Sequence, residues 1–111
     1  MIFKMRFMLS IIVLGAVVAA AARASATGEE VFMRLKCGMC HKPDKKAAAI
    51  SLKEIVQTYS DREKLVKFFK GELKPLIESE NWGMMRGQLE KIKALPDEDK
   101  EALAGYILSF K

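Results

Sequence analysis

The chain of 111 residues carries one histidine, two cysteines, one tryptophan and three prolines. Each scarcity closes a door. Three Cys and His side chains cannot make the four protein ligands of a structural zinc site. A second histidine is missing, and no acid–base constellation stands out, so no enzyme is expected. No stretch alternates β-branched with polar residues, so strands have no support and the pattern is all-α. The longest uncharged apolar run, Phe7–Ala22, is 16 residues, short of the about 20 that span a bilayer as a helix.

That run belongs to an address. Lys4 and Arg6 give a positive start, and Ala24-Ser25-Ala26 offers the small-x-small pattern of signal peptidase. Residues 1–26 read as a signal peptide cleaved after Ala26, which places the mature chain, residues 27–111, in the periplasm. The alternative is a transmembrane anchor. Lys4, Arg6 and Arg23 lie in the removed segment and no acid does, so 16 of the 19 basic residues remain against 14 acids. The net charge falls from +5 to +2, with both signs interspersed, and a nucleic-acid function loses its footing. A domain of this size buries little apolar surface and needs a staple such as a disulfide, a metal or a cofactor.

The staple is legible in "LKCGMCHKPD", residues 35–44, which holds both cysteines and the histidine. A thioredoxin-like redox pair would need a βαβ setting that is not evident. A disulfide between Cys37 and Cys40 would close a very short loop and constrain little chain entropy. The third reading is covalent attachment of haem c, the assignment for Cys-x-x-Cys-His. Two thioethers through Cys37 and Cys40 fix the macrocycle, and the next residue, His41, faces the iron as the proximal ligand.

Around this motif the sequence resembles a bacterial class I cytochrome c over nearly all of the mature chain. "GEEVFMRLKCGMCH" (28–41) is similar to the family's first helix and haem-attachment segment, "SLKEIVQTY" (51–59) to its next helix, and "LPDEDKEALAGYILSFK" (95–111) to its last. The resemblance implies four to five short helices around one haem. The residues agree. Val31, Phe32 and Leu35 share a face. Asp61 caps a helix lined by Leu65, Phe68, Phe69 and Leu73. Met85, Leu89 and Ile92 recur at helical steps, and Pro96 with Asp97, Glu98 and Asp99 opens a last helix striped by Leu103, Tyr106, Ile107 and Phe110. Gly28 and Gly105 are expected to let the terminal helices cross closely, with Phe32 and Tyr106 beside the crossing.

The resemblance also implies a distal methionine. Met33 and Met39 lie too near the proximal segment to reach the far face, which leaves Met84 and Met85. Met85 is preferred because it shares a face with Leu89 and Ile92, Met84 is the runner-up, and core filling by both is the alternative. Trp82 is expected either to donate its indole N–H to a haem propionate, as in some relatives, or to form an apolar wall. Relatives often place Gly-Pro where Ala49 and Ile50 stand, and the proline carbonyl accepts the proximal histidine's N–H. A carbonyl near Ile50 is expected to substitute. Relatives also often carry a Met-Pro-Pro loop that Met84-Met85 lacks.

The expected function is single-electron transfer between redox protein partners, with Lys36, Lys42, Lys45 and Lys46 either ringing the haem edge or forming an ordinary solvated surface. The membrane is touched only transiently or through a partner. The alternatives are a haem subunit of a periplasmic dehydrogenase, for instance one oxidising a sulfur compound, and an open-site haem sensor.

Overall fold

The computed structural model describes residues 26–77 and 82–111. The proposed signal peptide lies outside the described residues except for Ala26. Among those residues the chain forms five α-helices and no strand: α1 (Gly28–Arg34), α2 (Leu52–Tyr59), α3 (Arg62–Phe69), α4 (Trp82–Lys93) and α5 (Asp97–Leu108), with a 3₁₀ turn at Cys37–Met39. None of them is long and apolar enough to cross a membrane.

Local chemistry sets the helix starts. Thr27, Ser51 and Asp61 each accept the N–H of the residue three positions on, Glu30 at 3.1 Å, Glu54 at 3.1 Å and Lys64 at 2.8 Å, which satisfies a donor the first turn cannot. α5 begins after Pro96 with three acids in its first turn, where the helix dipole favours them. α1 gives way to a left-handed residue, Lys36 at φ 58°, which turns the chain into the cysteine segment.

α1 packs across α5 and forms the frame. Val31 and Leu103 are fully buried, and the rings of Phe32 and Tyr106 stack at 5.1 Å and 59°. Gly28 is pressed onto α5: a Cβ there would collide with the Ala102 carbonyl oxygen and lie 2.7 Å from Tyr106 Cβ. The expected close crossing therefore depends on Gly28. Gly105 differs from expectation, because the neighbour it meets is the Arg62 guanidinium of α3, 2.7 Å from where a Cβ would stand. Leu65, Val66, Phe68 and Phe69 of α3 and Leu52 and Tyr59 of α2 complete the core. α3 ends before Leu73, which packs on the core from the following loop.

Candidate functional site

Between these helices lies a cavity of about 1250 Å³ including its open mouth, walled mainly by apolar side chains. Cys37, Cys40, His41, Trp82, Met84 and Met85 all line it. Six residues singled out in the sequence, from two segments more than forty positions apart, thus meet at one place.

The wall that carries the Cys37-x-x-Cys40-His41 motif is tied by backbone bonds. His41 and Cys40 both donate N–H to Cys37 O, at 2.9 and 3.3 Å, so the motif is one tight turn that presents three side chains together. The following loop returns on itself: Ala49 N–H reaches Cys40 O at 3.2 Å, Leu52 N–H reaches Lys42 O at 2.8 Å and Lys53 N–H reaches Pro43 O at 3.0 Å. The closure brings Ile50 O to 2.8 Å from His41 Nδ1. A carbonyl can only accept, so Nδ1 carries the proton and Nε2 keeps its lone pair for a metal. The carbonyl that the sequence located near Ile50 is that of Ile50 itself, and it needs no proline.

The two thiols are free of any disulfide. Burial pushes the Cys37 thiol up to about 11, against a backbone hydrogen bond of its own that lowers it and a nearby Cys40 that adds to the rise. Near neutral pH that sulfur is a neutral, half-buried thiol facing an apolar chamber. Among the described residues no three His, Cys, Asp or Glu side chains gather to hold a metal ion. Two thiols beside one imidazole on an apolar slot fit instead a covalently attached porphyrin, with the thiols available to the macrocycle and the imidazole to its iron.

Comparison with known families agrees with this geometry. The cytochrome c family model matches residues 25–111. The chain belongs to the cytochrome c family. No curated protein matches it significantly. Haem c is the cofactor of this cytochrome c, attached through Cys37 and Cys40, and its role is haem-based electron transfer with redox protein partners.

The wall that α4 contributes is built differently. Met85 is half-buried and packs on the core, whereas Met84 is 71% exposed at the rim. Trp82 packs against Phe68 with ring centres 6.4 Å apart. Met33 and Met39 are 67% and 69% exposed. Two contributors escaped the sequence reading. Tyr59 lines the cavity, and its hydroxyl accepts Leu76 N–H at 3.3 Å, fastening the loop that leads towards α4; its place at the end of an amphipathic helix was the available signal. Burial pushes the Tyr59 hydroxyl above its ordinary 10.0, opposed by that Leu76 bond. Lys100, buried on α5, is the other.

Proposed function

We propose that this cytochrome c is a periplasmic, single-haem electron carrier with His41 as proximal and Met85 as distal ligand. The observation that carries the reading is the His41 Nδ1 bond to Ile50 O. It orients the ring towards the cavity, fixes the tautomer and strengthens Nε2 as a donor, the task of an outer-shell partner of a ligating histidine. The haem supplies a one-electron ferrous–ferric couple when bound. Met85, half-buried on α4 and sharing that cavity, offers a thioether of the kind that raises the potential and closes the iron to exogenous ligands. Its burial favours it over Met84.

Phe68, Leu103, Ile107 and Trp82 exclude water from the slot and keep its dielectric low. Trp82, which lines the cavity, would offer its indole N–H to a propionate. Export with cleavage after Ala26 suits a family whose members are typically exported. Of the lysines near the motif, Lys36 lines the cavity mouth and Lys45 and Lys46 are exposed, while Lys42 is tied through Nζ to Gly38 O at 2.9 Å. Such a basic rim speeds encounter with an acidic partner. Among the described residues the exposed large apolar side chains are Met33, Met39, Leu76 and Met84.

The test is absorption spectroscopy of oxidised and reduced holoprotein, as wild type, Met85→Leu and Met84→Leu. The sulfur-to-ferric-haem charge-transfer band should be present in wild type and Met84→Leu and absent in Met85→Leu. A wild type without that band, binding carbon monoxide readily when reduced, would sink the reading in favour of an open distal site.

A further inference from the structure

The core-facing stripe of α5 runs Lys100, Leu103, Ala104 and Ile107, and Lys100 is as buried as its apolar companions, at 6% exposed. An ammonium in such a place is unfavourable unless its donors are used. Here Nζ donates to Leu95 O at 2.9 Å and lies 3.5 Å from Asp97 Oδ1. Leu95 lies in the joint between α4 and α5, whereas Asp97 is the first residue of α5 itself, three positions before Lys100. Leu95 closes the final turn of α4 through its N–H to Ile92 O at 3.0 Å, so the lysine places its charge at the negative end of that helix dipole.

The joint matters because of what α4 does. Its inner side, with Trp82, Met85, Gln88 and Ile92, faces the cavity. It packs on the core through Trp82, Met85, Leu89 and Ile92 and on α3, and just past its C-terminal end the Leu95 carbonyl is held by Lys100. A leucine at position 100 would satisfy the apolar stripe, but it would leave Leu95 O without this donor and the joint without its clamp.

We propose that Lys100 is a positioning residue that clamps the joint of α4 and so holds Trp82 and Met85 over the haem cavity. The part concerning Met85 rests on the electron-carrier reading above. The lysine touches no reacting atom; it acts through the end of the helix that carries them.

Residue-resolved hydrogen exchange on the holoprotein tests the clamp, with carbon monoxide binding to the reduced protein as a second readout. In Lys100→Met the amides of Gly87–Lys93 should exchange about tenfold faster, as expected for losing a hydrogen bond to a charged donor, while α1 and α2 keep their protection. Carbon monoxide should bind faster by a comparable factor. Val66→Ala, which destabilises the core away from the cavity, should not loosen α4 selectively. Lys100→Gln, which retains a donor but loses the charge, should give a smaller rise confined to α4, and it decides the matter if the methionine variant fails to fold. Uniform loss of protection in all helices, or none in α4, overturns the clamp. A wild type that lacks the sulfur band overturns Met85 ligation, and the exchange data still judge the clamp.

Discussion

The two walls of the haem cavity are held by different means. On the proximal side, the segment from Cys37 to Lys53 is laced by backbone hydrogen bonds, and His41 is fixed in ring position and tautomer by Ile50 O at 2.8 Å. On the distal side, the Tyr59 hydroxyl fastens the approach to α4 and the Lys100 ammonium fastens its far end, with α4 packed between them against α3. Bonds between main-chain groups survive most substitutions, whereas a bond from a side chain disappears with that residue. His41 is therefore built into the path of the chain, and the wall that carries Met85 is adjustable one residue at a time.

The sharpest way to probe this contrast is through the frame behind the proximal wall. Gly28→Ala forces a methyl group into the Ala102 carbonyl and the Tyr106 side chain, and urea unfolding of the holoprotein should show a loss of about 3 kcal/mol, the upper range for overpacking. Gly105→Ala meets only the mobile end of Arg62, and the helix-propensity gain of about 1 kcal/mol over glycine should leave it neutral or slightly stabilised. Equal losses at the two glycines would break the account of the crossing.

Ser51→Ala comes next. It removes the cap of α2 beside Ile50 and should lower stability by about 1 kcal/mol. The spectrum should be unchanged, because backbone bonds at Leu52 and Lys53 still hold the loop. Loss of the sulfur band in this variant would show that the proximal wall is as dependent on single side chains as the distal one.

The smallest effect at neutral pH is expected for Tyr59→Phe, which forfeits the bond to the part-exposed Leu76 amide at a cost of up to about 1 kcal/mol. Its signature lies in alkali. The folded protein holds the Tyr59 proton more tightly than the unfolded chain does, so this group's contribution is fully present below pH 10 and is lost as pH rises through its raised folded value. Denaturation midpoints measured across that interval should fall less steeply for Tyr59→Phe than for wild type. Parallel pH profiles would remove Tyr59 from the account.

Much of this architecture was legible because it rests on short-range rules. The cap at Asp61, the apolar stripes of α3 and α5, and the Cys37-x-x-Cys40-His41 motif are local patterns whose physical meaning does not wait on the rest of the fold. The location of the histidine's acceptor near Ile50 came from the family resemblance, because Ala49 and Ile50 stand where relatives often carry Gly-Pro. What escaped were the long-range pairings of residues that read as ordinary. Lys100 looks like one more solvated charge until its spacing to Leu103 and Ile107 is taken seriously. The partner of Tyr59 is 17 positions away across an irregular loop, and no periodicity points there. Gly105 reads as part of the helix crossing because it lacks a side chain and lies on the last helix, yet the neighbour it meets is Arg62 of α3.

The crossing that Gly28 permits also bears on the order in which the molecule is made. It joins the first helix of the domain to the last, so the core cannot close until nearly the whole chain is present, and closing so long a loop is slow relative to local helix formation. A chain delivered amino terminus first exposes Cys37, Cys40 and His41 early and acquires Tyr106 only at the end. The contact that seals the core is thus the last one the chain can make, although the residues that hold the haem are among its earliest.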